Sequence, residues 1–582
     1  MRRNGLILFL VFLAIVPFFP SFWLIMGSYI GLYSMVAVGL VLLTGVTGLT
    51  SFGQAAFMGV GAYTTALMTT SLGWSPWITL VVALVLTVLI ASILGAITLR
   101  MGGHYLPLAT IAWGISIYFL FGTVPILGGS TGISDIRALQ LFGIELRDEK
   151  IFYFIIWAVC LASMLITANL LDSREGRAIR ALKNGVSMAE AFGASSLRLK
   201  NIVFIYSAVL ACLAGWLYAH MQRFVNPSPF GLNQGIEFLF MITIGGSFSI
   251  WGAVVGATVI TLLKTVLQGI LPKLISQNGN YEIIVFGIMI VCVLQWMRGG
   301  IWAFVEKMLP PKKIRPIEGT SGLPVRQQPS SGELLLKVDS VLKEFGGLQA
   351  VKNVSFDVRA GEIVGLIGPN GAGKTTMFNV ISGELSRSAG SIKLCGETIS
   401  GFRPPQIASL GLSRTFQHVK LIAGMTVLEN VMLGAYLRTS DGFFSASMGL
   451  NRSTDERVRA EAACQLNRVG LGESMFVAAG SLSLGQQRIV EIARALCADP
   501  ILLLLDEPAA GLRYREKQEL AKLLESLRSQ GLSVLIVEHD MEFLMNLVDR
   551  FVVMEFGQKL AEGLPKEIRV NPLVLETYLG GV

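Results

Sequence analysis

Residues 363–376 read Ile-Val-Gly-Leu-Ile-Gly-Pro-Asn-Gly-Ala-Gly-Lys-Thr-Thr. The first five make a short apolar run, the pattern of a strand buried on both faces. The loop that follows, Gly368-Pro369-Asn370-Gly371-Ala372-Gly373, then runs into Lys374-Thr375-Thr376-Met377-Phe378, which opens a helix. Strand, glycine loop and helix in that order are the setting in which a phosphate chain is cradled. The glycines let backbone N–H groups close on phosphate oxygens, and the helix amino terminus adds its positive end. Lys374 is expected to reach the β- and γ-phosphates, and the Thr375 hydroxyl to ligate Mg²⁺. Taken alone, the loop specifies only that a nucleotide is held.

Two further runs extend the reading. Leu502-Leu503-Leu504-Leu505 is a second buried strand that ends in Asp506-Glu507, and Ser533 to Val537 a third that ends in Glu538-His539. Ligands in open α/β sheets gather at the carboxyl edge of the strands. Asp506 is therefore expected at the Mg²⁺ and Glu507 as the base that aligns an attacking water. His539 is expected beside the γ-phosphate; a purely structural strand-end role is the plainer alternative. Residues 333–582 are thus expected to form an α/β domain that binds and hydrolyses ATP with Mg²⁺.

The chain has 582 residues, 53% of them hydrophobic, too many for one domain. Up to residue 330 there are 21 Lys and Arg against 11 Asp and Glu; beyond it the figures are 26 and 28. The overall charge of +8 thus belongs to the apolar half, where basic loops that fix membrane orientation account for it. No basic groove interleaved with aromatics points to nucleic acid. The six cysteines are scattered without a C-x-x-C pair, which excludes a zinc framework and leaves them as small apolar residues.

Runs long enough to cross a bilayer, roughly 20 residues, fall near 6–26, 29–47, 54–72, 76–98, 105–124, 151–171, 201–221, 252–272 and 281–297. A shorter one, Phe230 to Ser249, is broken by Gly245-Gly246. The start lacks a small-residue cleavage site and reads as a retained helix. The loop 172–200 carries six basic residues against three acids, which puts it in the cytoplasm. The ATP-binding half must be there too, so an even number of spans separates them. About ten spans, as an α-helical bundle over 1–304, satisfy this. Residues 305–332, with Pro310-Pro311, Lys312-Lys313 and Pro329-Ser330-Ser331-Gly332, have no helical or strand period and read as a linker.

The same loop holds two short amphipathic stretches, around Gly176-Arg177 and around Glu190-Ala191-Phe192-Gly193. Helices of this kind can lodge in a groove of the ATP-binding domain and carry its movement into the spans. Serving only as a positive topology signal is the alternative. Within the spans, Lys264 costs roughly 2.5–3.5 kcal/mol near the bilayer centre; it either faces a translocation cavity or snorkels. Glu237, His220 and Glu282 lie near span ends and read as solvated caps.

Residues 333–582 resemble an ABC-transporter ATPase. The resemblance puts Phe345 on the adenine and Gln417 on the Mg²⁺ and the link to the membrane domain. It makes Ser483, Gly485 and Gln486 a signature that acts on the ATP of a partner ATPase. Arg414-Thr415-Phe416-Gln417-His418, Glu507-Pro508-Ala509-Ala510-Gly511-Leu512 and the tail 567–580 are similar to the ATP-binding subunits of branched-chain amino acid importers. Gly48-Leu49-Thr50-Ser51-Phe52-Gly53-Gln54-Ala55-Ala56-Phe57 and Gly59-Val60-Gly61-Ala62-Tyr63 resemble the permeases of the same systems. Leu484 and Arg513 depart from the wider pattern, Arg513 where Asp or Asn is usual.

The resemblance implies a fused permease and ATPase in a bacterial cytoplasmic membrane, its ATPase domain cytoplasmic. It implies ATP-driven import of branched-chain or other small hydrophobic amino acids. Implied partners are a substrate-binding protein on the outer face and a second permease and second ATPase, or a second copy of this chain. An importer of urea or short amides shares the permease type. An exporter half-transporter is disfavoured by the span count, and a non-transporting ATP-gated scaffold by Glu507 and His539.

Overall fold

The computed structural model describes residues 3–101, 105–141, 144–275, 282–297, 299–308 and 322–579. Pro310, Pro311, Lys312, Lys313 and Gly580, read above as linker and tail, lie outside them. The chain forms two compact units: Met1–Leu171 with Leu197–Lys312, and Asp172–Ser196 with Lys313–Val582.

Among its described residues the first unit is helical apart from a short antiparallel pair, β1 (Gln140–Leu141) and β2 (Ile144–Glu145). Among the described residues six helices are long and apolar enough to span a bilayer: Ser21–Val46, Pro76–Thr98, Tyr105–Thr123, Glu149–Leu171, Ser196–Gln222 and Ile250–Gly269. This is fewer than the ten expected. Gln54–Thr70, Leu232–Gly245 and Glu282–Trp296 are apolar but shorter. The expected spans 6–26 and 29–47 are instead a helix Arg3–Ile15, a turn Val16–Phe18 and a helix that begins at Ser21 and runs to Val46. Pro17 and Pro20 lack the N–H that would continue the first helix, so the break falls ahead of the expected one.

Helix Pro76–Thr98 shows how such a unit is built. After Pro76 its buried residues, Thr79, Ala83, Thr87, Ala91, Gly95 and Thr98, are small and recur about every four positions. Ile78, Val81, Val85, Leu89, Ile93 and Ile97 point outward and are exposed. Small residues inside and bulky apolar ones outside suit helices that pack closely in lipid. Elsewhere the approach is closer still: a Cβ on Gly215 would stand 1.9 Å from the Met58 carbonyl oxygen, and one on Gly256 1.7 Å from that of Met241.

The second unit holds two sheets. One, antiparallel, has the order β4 (Leu348–Arg359), β3 (Leu334–Phe345), β6 (Ala389–Leu394), β7 (Glu397–Thr398). The other orders β12 (Gln558–Gly563), β11 (Arg550–Glu555), β5 (Ile363–Ile367), β10 (Ser533–Val537), β9 (Leu502–Asp506) and β8 (Leu412–Arg414). All its pairings are parallel except β11 with β12. Every residue of β5, β9 and β10 is buried, as continuous apolar strands of a covered parallel sheet should be. The register pairs Val537 with Asp506 and with Leu366, so the three strands end level.

Candidate functional site

The glycine loop leaves β5, and Gly373 caps the helix Lys374–Ile381 in a left-handed conformation, φ +96°. A Cβ there would lie 2.4 Å from the Ala350 carbonyl oxygen, so only glycine lets the loop close on β4. Above it is a cavity of about 420 Å³ lined by residues 370–376, Gln417 and Glu507, and by Leu348, Gln349, Lys352 and Phe556. Gly368 and Pro369 lie at the root of the loop. Their carbonyl oxygens accept hydrogen bonds from Lys374 Nζ at 2.7 and 2.9 Å. Burial lowers the Lys374 pKa, and the nearby Glu507 and Asp506 carboxylates oppose that shift.

Phe345 is not among the lining residues. It closes β3 and is 45% exposed, and Lys343 Nζ sits 4.8 Å from the ring centre. Leu348, just past the hairpin, and Phe556, in the turn between β11 and β12, supply the apolar part of the lining. Nothing in the sequence distinguished Phe556, because its position depends on β11 pairing with β5 across nearly two hundred residues.

Asp506 and Glu507 share a strand end but differ in environment. Asp506 is buried, and Oδ2 accepts from Arg414 Nη2 at 3.1 Å. Oδ1 is buried without a hydrogen-bond partner among the described residues. Desolvation raises the Asp506 pKa, and the Arg414 guanidinium opposes it. Arg414 also donates to Ser382 Oγ at 2.8 Å and Glu384 Oε2 at 3.1 Å. Glu507 has φ +47°, a conformation that costs a non-glycine residue about 1–3 kcal/mol and that clusters at working sites. Its N–H bonds the Val537 carbonyl at 2.8 Å, and Oε2 accepts from Gln417 Nε2 at 3.0 Å. The strand ends thus bring Glu507 and Gln417 together.

His539 is exposed, with Nδ1 3.7 Å from Glu538 Oε2. Glu538 is buried and accepts backbone N–H bonds from Ala509 at 2.6 Å and His539 at 3.1 Å. Burial raises its pKa, and those two bonds pull it back. Glu538 thereby ties the loop after Glu507 to His539, a linkage that a single acid at a strand end did not signal.

Ser483 caps the helix Leu484–Cys497: its Oγ accepts from Gln486 N at 3.3 Å, while Gln486 Oε1 accepts from Ser483 N at 3.1 Å. This reciprocal pair fixes an exposed helix start. A Cβ on Gly485 would stand 2.7 Å from Glu516 Oε1, and Glu516 Oε2 accepts from the Arg513 N–H at 2.8 Å. The helix start and the Arg513 turn are therefore packed together.

Farther along that helix Arg488 Nη1 donates to the Phe416 carbonyl at 3.0 Å and Nη2 to that of Gln417. Glu491 and Arg494, both 1% exposed, pair at 3.1 Å. Glu491 Oε1 accepts from Lys420 N at 2.9 Å, and Arg494 Nη1 donates to the Lys420 carbonyl at 3.0 Å. The segment around Gln417 is thus clamped by charges from the helix that Ser483 begins. Burial raises the Glu491 pKa and Arg494 opposes it.

The segment Asp172–Ser196 belongs to this same unit. It holds helices Arg174–Asn184 and Val186–Ala191. Gly176, in the first turn, donates to Ser173 Oγ at 3.3 Å. Arg177 Nη2 meets Asp455 Oδ1 at 2.6 Å, and Glu175 Oε2 accepts from Tyr436 Oη at 3.0 Å. The Arg174 guanidinium lies 3.9 Å over the Tyr436 ring. Phe192 is buried against the Arg494 guanidinium, 5.0 Å from its ring centre. Gly193 adopts φ +91°, where a Cβ would be 2.2 Å from Leu437 Cγ. Ala191 is half-buried, and Glu190 stays local, accepting from Ser196 Oγ at 2.5 Å.

The β-sheet, its glycine loop and the acids at its strand ends define a nucleotide-hydrolysing cassette, and the family comparisons agree. A model described as branched-chain amino acid transport system / permease component matches residues 23–294, and an ABC transporter model matches 351–510. One described as branched-chain amino acid ATP-binding cassette transporter matches 558–582. Over 250 residues, 42% of this chain and 98% of the relative, the chain is 44% identical to the high-affinity branched-chain amino acid transport ATP-binding protein LivG of Salmonella typhimurium. It is 43% identical over 251 residues to LivG of Escherichia coli K12, and 41% over 249 to BraF of Pseudomonas aeruginosa; each match covers 42% of this chain and 98% of the relative. The chain belongs to the branched-chain amino acid ABC transporter family, with permease and ATP-hydrolysing subunit in one polypeptide. It is a membrane protein whose cassette binds nucleotide and hydrolyses ATP.

Outside this site, the cysteines are all free, with Cys160, Cys212 and Cys497 buried. His220, read as a solvated cap, is instead buried, and its Nδ1 lies 2.9 Å from the Arg137 carbonyl oxygen. Glu237, read the same way, pairs with Lys264. The cause in both is tertiary packing: the non-helical segment at Arg137 lies against His220, and Lys264 of a neighbouring helix meets Glu237.

Proposed function

We propose that this chain imports branched-chain amino acids across the bacterial cytoplasmic membrane, ATP hydrolysis in its cytoplasmic cassette driving the spans between outward and inward openings. The observation that carries this is the joining, in one polypeptide, of a permease and a cassette that each match branched-chain systems. In this reading the apolar helices, long and short, make ten crossings, so residues 172–200 and the cassette share the cytoplasmic side.

Lys374 and residues 368–376 bind the phosphates, with Leu348 and Phe556 flanking the base. Mg²⁺ fits the donor set: Asp506 Oδ1 is a buried oxygen with no partner among the described residues, the kind of ligand a hard cation takes. Thr375, Asp506 and Gln417 would hold it, and when bound it neutralises charge developing on the phosphates. Glu507 aligns the water, His539 senses the γ-phosphate, and Ser483, Gly485 and Gln486 complete the site of a partner cassette. Residues 172–196, through Arg177, Phe192 and Gly193, couple hydrolysis to the spans.

One chain supplies one permease and one cassette, and we infer a heteromeric complex with a second permease, a second cassette and an outer binding protein. What favours it over a homodimer is Arg513, an exposed cation packed beside the helix start at Ser483, which a homodimer would present twice. Vesicles carrying the native complex should accumulate labelled leucine, isoleucine or valine only with ATP. Accumulation of urea and not of leucine would refute the reading.

A further inference from the structure

The permease unit contains an ion pair that nothing above uses. Lys264 Nζ and Glu237 Oε1 are 2.6 Å apart, Lys264 in the helix Ile250–Ile275 and Glu237 in Leu232–Gly245. A charge in a span is costly, and such residues usually face a pathway. These side chains are 33% and 15% exposed respectively, so the pair is not sealed in the core.

Among the described residues two unpartnered polar side chains lie about one helical turn from it. Gln234 precedes Glu237 by three residues and Thr261 precedes Lys264 by three, the spacing that puts helical residues on one face. Both are buried, and Gln234 Nε2 and Thr261 Oγ1 have no hydrogen-bond partner among the described residues. A pair that merely locked two helices would have no need of further polar atoms, because buried polar groups without partners cost stability. Tyr33 lies beside Phe238, the residue that follows Glu237. Its ring packs edge-on against Phe238 at 5.5 Å and lies 5.7 Å from Tyr29, which gives the place an aromatic wall.

From this we infer that Lys264 and Glu237 are the intramembrane recognition site for a zwitterionic amino acid, a conclusion that rests on the import reading above. Lys264 takes the carboxylate and Glu237 the ammonium, with Gln234 and Thr261 completing the hydrogen bonds. The zwitterion exchanges one internal ion pair for two charge-assisted contacts, and the local net charge stays zero. A neutral amide or urea cannot make that exchange, since it leaves the internal pair the better bond. The site therefore selects free amino acids over short amides, and the aromatic wall favours apolar side chains.

The test is equilibrium binding of labelled leucine to the purified full chain in nanodiscs, with leucinamide, N-acetylleucine and isovaleramide as competitors. Leucine should compete, whereas each analogue, lacking one or both charges, should be weaker by roughly a hundredfold. The double variant Lys264→Met/Glu237→Gln strands no charge, so it should keep ATP hydrolysis while losing leucine binding and, in vesicles with the complete transporter, leucine uptake. Equal competition by leucinamide, no binding by the unaltered chain at millimolar leucine, or undiminished uptake by the double variant would each overturn the assignment. In the last case the unaltered transporter still imports leucine, so the site falls and the import reading stands. If the unaltered transporter imports urea and not leucine, both fall.

Discussion

Gly193→Ala tests how tightly the 172–196 segment must sit on the cassette. Gly193 has φ +91° and donates its N–H to the Glu190 carbonyl at 2.9 Å. Alanine in that conformation costs about 1–2 kcal/mol. Its Cβ would be 2.2 Å from Leu437 Cγ and 2.4 Å from both Cδ atoms, so Leu437 must move. Leu437 is 38% exposed and can swing aside, which limits this part to about 1 kcal/mol of off-rotamer strain. Together these weaken docking by about 2–3 kcal/mol, a shift of roughly 30- to 150-fold. Leu437 is not among the residues that line the phosphate cavity, so nucleotide affinity should not change. Labelled leucine uptake and phosphate release, measured in the same proteoliposomes of the complete transporter, should show hydrolysis continuing while leucine moved per ATP falls steeply. Adding Leu437→Ala should restore the steric share only. An unchanged coupling ratio in Gly193→Ala would refute the reasoning and leave the segment as a topology signal.

Glu507→Gln should still bind ATP but hydrolyse it about 10²- to 10⁴-fold more slowly, whereas Lys374→Ala should weaken nucleotide binding itself; near-normal turnover in Glu507→Gln would remove it as the base. Arg414→Met leaves Asp506 buried and unpaired, a loss of about 3–5 kcal/mol. Mg·ATP should therefore raise the melting temperature of this variant more than that of the unaltered chain, and equal increments would disprove Asp506 as the metal's ligand. Purified chain reconstituted with candidate binding proteins alone should fail to take up leucine, and full ATP-dependent uptake would establish a homodimer.

The cassette was legible because its signals are local. A buried strand, a glycine loop and a helix start follow one another within fourteen residues, 363–376, and each is dictated by short-range sterics. Strand-end acids are equally local, since the covered parallel sheet requires unbroken apolar runs such as Leu502–Leu505. Phe556 was less legible: it reaches the wall through the turn between β11 and β12, which only the pairing of β11 with β5 places there. Apolar length marked the membrane segments, but two prolines, invisible to a hydropathy count, moved the first boundary.

The sequence by itself determined the order of the parts: a permease-like apolar half with a basic loop inside it, then a phosphate loop and strand-end acids. The tertiary structure decided which charges face each other. Arg414 finds Asp506 across 92 residues, Arg177 finds Asp455 across 278, and Lys264 finds Glu237 across 27. Propensity and motif spacing act over a few residues, whereas the partner of a buried charge is fixed by how helices and strands remote in sequence pack. That packing turned Glu237 from a presumed cap into half of an ion pair, and the 172–196 loop into part of the cassette's own unit.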